Sequence, residues 1–136
     1  MARAVHDGVL RELESGPFSS ALKLRIEACC EGEAMVRMPF DESILNAGGP
    51  DVPVHGGAIA ALADFAACAA VWTMPKTRSS ATISMTVNYA TPAIRTDLVA
   101  RARVRRAGRR IASVLVEIMD SSGALIADAL VTYKIA

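Results

Sequence analysis

The chain has 136 residues, 52% of them hydrophobic, which suits one compact domain spanning 1–136 with a sizeable core. Its net charge of +1 gives no overall field that would recruit nucleic acid or an acidic partner, and the one concentration of charge is the run Arg101, Arg103, Arg105, Arg106, Arg109 and Arg110. Of the three cysteines, Cys29 and Cys30 are adjacent and Cys68 lies in an apolar run, so a reducing, cytoplasmic compartment is expected. The N-terminus is too polar for a secretory signal, and the apolar run is shorter than a bilayer span and holds Asp64, so a soluble protein is expected.

In chain order, VHDGVLRELES places Val9, Leu10 and Leu13 at helical spacing, and Gly16-Pro17 is expected to stop that helix. From 21 to 38 apolar and polar residues alternate around a Glu-Gly-Glu turn, which fits two strands. NAGGPDVPV, residues 46–54, holds too many turn formers for any regular element and is a loop. VHGGAIAALADFAACAAVW then gives a long helix ending after Trp72, where the polar, proline-bearing TMPKTRSS follows. Four strands complete the chain. ATISMTVNYATP stops at Pro92, LVARARVRRAG sets its arginines on one face, and RRIASVLVEIM and ALIADALVTYKI are joined by the turn Asp120-Ser121-Ser122-Gly123. This order, without βαβ alternation, predicts an α+β fold in which the long helix covers an antiparallel sheet. Every position from 58 to 72 except Asp64 is apolar. A helix of that kind must be buried on nearly all sides, and a second copy of the chain is expected to cover what the sheet does not.

Asp64 is then the costly residue, because a carboxylate among apolar neighbours loses its hydration and must be paired, protonated or wetted by a cleft. A solvent gap would explain it, and so would a reactive site. At the helix start, His55-Gly56-Gly57 offers no Ser, Thr, Asp or Asn cap, which leaves backbone N–H groups open for an oxyanion or simply permits a tight turn. Gly57 and Asp64 are seven residues apart, about 10 Å along a helix, so one helix cannot present both to one bond. Two helices paired antiparallel about a two-fold axis can. Cys68, without a second base, reads as a small core residue.

His55-Gly56-Gly57, Leu62-Ala63-Asp64, Asn46 upstream, Asn88-Tyr89-Ala90-Thr91-Pro92 downstream and the closing SVLVEIMDSSGALIADALVTYKI together resemble the hotdog-fold acyl-CoA thioesterases of the phenylacetate-pathway (PaaI-like) type. The resemblance implies a long central helix wrapped by an antiparallel sheet, homodimers or dimers of dimers, and hydrolysis of a small or medium, including aromatic, acyl-CoA. It implies no metal or organic cofactor. It further implies Asp64 as general base or nucleophile, the backbone N–H of Gly56 or Gly57 as the group polarising the carbonyl, Asn46 as the residue orienting water, and a hydroxyl near the base at Thr82. His55 is either a substrate-side group or a hydrogen-bonding brace for the loop, with the brace favoured. Arg95 and the arginines of 101–110 are candidates for the CoA phosphates or for a solvated face. One departure from the family pattern is the link between Asn46 and His55, lengthened by AGGPDVPV. A module that binds an acyl thioester without cleaving it, or a hotdog dehydratase or hydratase, would use the same fold. The latter needs a second acid or base that this sequence does not offer.

Overall fold

The computed structural model describes residues 7–136. The first helix, α1 (Asp7–Ser15), buries Leu10; Val5 and His6, which open the segment assigned to it from sequence, lie outside the described residues. Gly16-Pro17 ends α1 as expected, but it also begins a second short helix, α2 (Pro17–Ala21), with Pro17 in the first turn. A proline breaks a helix by lacking an N–H and fixing φ, and neither property matters at the first helical position.

Two strands, β1 (Arg25–Cys30) and β2 (Glu33–Met38), pair antiparallel around Glu31-Gly32, where Gly32 takes a φ of 79° that a side chain would disfavour. A single 3₁₀ turn, Glu42–Ile44, is capped by the Asp41 carboxylate. The long helix α3 (Gly56–Trp72) comes next, followed by β3 (Ala81–Tyr89), β4 (Leu98–Ala107), β5 (Ile111–Met119) and β6 (Leu125–Lys134). The six strands form one antiparallel sheet in the order β1-β2-β4-β5-β6-β3. The sheet wraps α3, which is the hotdog arrangement.

Alternation decides what faces the helix. Val36, Ala100, Ala102, Val114, Val116 and Val131 point inward and are buried, whereas Arg101, Arg103 and Glu117 point outward. Alanine at 63, 66, 67, 69 and 70 lets the helix approach the strands closely, and Leu62 and Val71 fill the remaining space. No residue of 58–72 is exposed. Within one chain the curled sheet and α1 bury most of the helix, while Ala58, Ala60, Ala61, Phe65, Cys68 and Trp72 remain half-buried.

One topological step builds the site. The chain leaves β2, runs along α3 and emerges at the far edge of the sheet, where β3 pairs with β6 instead of with β4. Thr82 of β3 thereby becomes the direct cross-strand partner of Tyr133 of β6. Both point toward α3.

Candidate active site

Asp64 projects from the middle of α3 and is half-buried. Its Oδ1 accepts a hydrogen bond from Thr82 Oγ1 at 2.8 Å and lies 2.5 Å from the Tyr133 hydroxyl, which is also 2.7 Å from the Asp64 carbonyl oxygen. Among the described residues no donor reaches Oδ2. The carboxylate lines a cleft of about 280 Å³ whose remaining wall is mostly apolar: Leu13 of α1, Phe18 of α2, Leu24, and Ala61 and Phe65 of α3. The charge in the apolar helix thus sits half-buried at the polar end of a greasy recess, and among the described residues no cation pairs with it.

Burial, the neighbouring Cys68 and the bond to Asp64 push the Tyr133 phenol far above its ordinary range, so it remains a proton donor. Burial likewise raises the Cys68 thiol, against the opposing effect of Ser80 at 3.7 Å. A protonated thiol is a poor nucleophile. Cys68 therefore has the inert chemistry expected of it, although it lines the cleft instead of lying deep in the core. Ser80 Oγ in turn accepts from Trp72 Nε1 at 2.8 Å, fixing the wall where the helix ends.

The other half of the expected chemistry lies at the start of α3. Contrary to the sequence expectation, the Gly57 N–H is not open: the His55 imidazole caps it, Nδ1 accepting at 2.8 Å. A Cβ on residue 57 would stand 2.9 Å from that nitrogen, so glycine is what makes room for the ring. His55 thus takes the bracing role. The Gly56 N–H has no protein acceptor among the described residues, while the Gly56 carbonyl accepts from the Tyr89 hydroxyl at 2.7 Å.

Asn46 belongs to this second half. It is exposed, and its backbone N–H donates to the Pro53 carbonyl at 3.1 Å beside a Leu45–Val54 bridge. That bridge closes residues 46–53 into an excursion whose ends meet, so the lengthened link leaves His55 in place, its N–H 2.7 Å from the Ile44 carbonyl. Arg95, with a φ of 46°, donates to the Pro50 carbonyl at 3.4 Å and lies over the Phe40 ring, bracing the same loop. Arg106, Arg109 and Arg110 line a separate groove of about 420 Å³ at the β4–β5 turn. A single protomer therefore brings Thr82 to Asp64 and groups Asn46, His55, Gly56 and Arg95 around the helix start, but does not join the two sets. Tyr133, Ser80 and Phe18 complete the cleft without having been singled out from sequence.

The sequence model of the thioesterase superfamily matches residues 54–127, which run from the start of α3 into β6. The chain belongs to the thioesterase superfamily. A Halobacterium salinarum protein named provisionally as an esterase is 38% identical over 95 residues, covering 68% of this chain and 62% of that relative, so the match spans about three-fifths of the relative's length. Among solved structures, thioesterase superfamily member 2 of zebrafish is similar with a TM-score of 0.83 and 25% identity, over 95% of this chain and 94% of that one. A variant of the phenylacetic acid degradation protein PaaI from Thermus thermophilus gives a TM-score of 0.79 and 30% identity, over 89% of this chain and all (100%) of that one. As a superfamily member the chain has the fold and the PaaI-type likeness that its motifs suggested. No described helix is long and apolar enough to cross a membrane.

Proposed function

We propose that this superfamily member hydrolyses the thioester of a small or medium acyl group, aromatic groups included, carried on CoA. The observation that carries the reading is the Asp64 carboxylate, held through one oxygen and with the other without a donor, at the polar end of an apolar cleft of about 280 Å³. An acyl group fills such a recess by the hydrophobic effect alone, and the carboxylate meets it where the thioester carbon would lie. As general base, Oδ2 takes a proton from water while that water attacks the carbonyl carbon. The C–S bond then breaks, the proton passes to the departing thiolate, and the free acid and CoA leave. As nucleophile, Oδ2 attacks the carbon itself, the C–S bond breaks to release the CoA thiolate, and water then cleaves the resulting anhydride to the free acid and the Asp64 carboxylate, its proton passing to the thiolate.

The developing oxyanion needs a donor, and the Gly56 N–H supplies one at a helix N-terminus. Because the helix start and Asp64 are about 10 Å apart on one helix, this donor comes from a second copy of the chain in a homodimer, with Asn46 of that copy orienting water. The long, exposed edge strand β3, carrying Ile83 at 56% exposure, supports such pairing, since unprotected edges are uncommon in monomers. Cys29, Cys30 and Cys68 form no disulfide, which suits work in a reducing cytoplasm. Arg95 and the arginines of 101–110 are the groups available to CoA phosphates.

The test is release of free thiol from a panel of acyl-CoAs by the wild type and by Asp64→Asn, with the oligomeric state of both followed by sedimentation. Aspartate-dependent release is expected. Equal turnover by the variant would remove Asp64 from the chemistry, and tight binding of intact thioesters without release would make the protein a carrier.

A further inference from the structure

Tyr133 performs no step in the reaction above, yet it is among the largest buried side chains of the protein, 2% exposed. A buried phenol must find partners for its hydroxyl. Here both partners belong to one residue: the oxygen lies 2.5 Å from Asp64 Oδ1 and 2.7 Å from the Asp64 carbonyl. That carbonyl already sits in the helical ladder, four residues before the N–H of Cys68. A second donor is therefore not needed to satisfy the helix. What the double contact adds is angular, since one atom held against both the backbone and the carboxylate of the same residue restricts rotation about its Cα–Cβ and Cβ–Cγ bonds. Thr82, directly across the β3–β6 ladder, donates to the same Oδ1 at 2.8 Å. With two hydroxyls converging on one oxygen, the carboxylate has one orientation and one vacant oxygen.

We infer that Tyr133 is a positioning residue for the thioesterase reaction, clamping Asp64 through Oδ1 so that Oδ2 is the oxygen offered to water or to the acyl carbon; this rests on the reading of Asp64 proposed above. The ring alone would fill the space between α3 and β6, and phenylalanine would do that equally well, so the hydroxyl is what the clamp requires. Because burial keeps the phenol protonated, Tyr133 donates throughout the working pH range and transfers no proton itself.

Tyr133→Phe removes one oxygen and keeps the ring. On the acyl-CoA panel its kcat is expected to fall about 10- to 100-fold, the effect of losing a hydrogen bond to a charged group, with KM changed by less than about twofold because the apolar wall is intact. Losing a donor that favours the carboxylate also moves the acid limb of kcat/KM to higher pH. Replacing Tyr133 with 3-fluorotyrosine, a stronger donor of nearly the same shape, is expected to move that limb the other way. It serves as the second arm should the phenylalanine variant fold poorly. A kcat and pH profile indistinguishable from wild type in either variant overturns the inference, as does a fall in kcat with an unmoved acid limb, which would mark a merely structural tyrosine. If the wild type cleaves no acyl-CoA, the thioesterase reading fails independently. The clamp is then judged from the 13C resonance of the Asp64 carboxyl, expected to differ between wild type and Tyr133→Phe, and coincidence of the two overturns it.

Discussion

The cap at the start of α3 can be tested quantitatively with His55→Ala, Gly57→Ala and the double variant. In the wild type His55 Nδ1 accepts from the Gly57 N–H at 2.8 Å, which places the imidazole proton on Nε2. Removing the ring leaves that N–H without its acceptor and costs about 1 kcal/mol, the usual loss for an N-cap. Adding a methyl group at 57 puts Cβ 2.9 Å from Nδ1 and 3.0 Å from Cε1, closer than these atoms can approach, so the ring must swing away. The same cap is lost by a different route, again for about 1 kcal/mol. For a chain of this size His55→Ala is expected to lower Tm by about 3–4 °C, and Gly57→Ala by less, because alanine returns up to about 1 kcal/mol of helix propensity against the lost cap. In the double variant the collision has vanished and the one cap is lost once, not twice, while the alanine keeps the same propensity gain that it brings to the Gly57→Ala variant. The double should therefore melt at or above His55→Ala, a strongly non-additive outcome. Thermal unfolding followed by circular dichroism decides it. A loss in the double equal to the sum of the two single losses would refute the reasoning, because it would mean that the ring and the added methyl act on different parts of the structure.

Three further outcomes follow from the cleft. Thr82→Val removes the 2.8 Å donor to Asp64 Oδ1 and is expected to lower kcat about tenfold while leaving the oligomeric state unchanged, as measured by steady-state kinetics and sedimentation. Phe18→Ala strips an apolar side chain that is 67% exposed at the cleft mouth. KM for acyl-CoAs with bulky apolar groups should rise with little change in kcat, and Tm should barely move because surface truncations stay within about 0.5 kcal/mol. The Cys68 thiol, raised by burial, carries little thiolate below the ordinary thiol range. Iodoacetamide labelling read by peptide mass mapping should be slow at mild pH and accelerate only above that range; rapid labelling near neutrality would contradict the burial.

Most of the fold was legible because its signals are local. Period-two alternation marked β1 to β4, β-branched runs marked β5 and β6, Glu-Gly-Glu and Asp120-Ser121-Ser122-Gly123 marked two hairpins, and the polar stretch after Trp72 ended α3 where the structure ends it. Gly16-Pro17 ends α1 as read, but the short α2 that Pro17 opens was not foreseen, because proline both stops and starts helices. The His55 cap was missed for a related reason: histidine is absent from the usual capping set, and the readable clue was the glycine two residues on, the position that must lack a Cβ for the ring to fit. Strand order, by contrast, is written in no single segment. Alternation says that Tyr133 faces inward, but not that β6 lies beside β3.

That missing order is why Asp64 looked more isolated in the sequence than it is in the protein. Its two hydroxyl partners come from strands 18 and 69 residues away, and they meet only because β3 emerges at the far edge of the sheet. An isolated carboxylate in an apolar helix lacks partners for its oxygens; this one is held through Oδ1 by the buried Tyr133 hydroxyl and the exposed Thr82 hydroxyl, which leaves Oδ2 without a donor among the described residues. On the proposed reading helix and strands divide the work at this site: the apolar helix supplies the acid, and the β3–β6 ladder supplies the two hydroxyls that hold one of its oxygens.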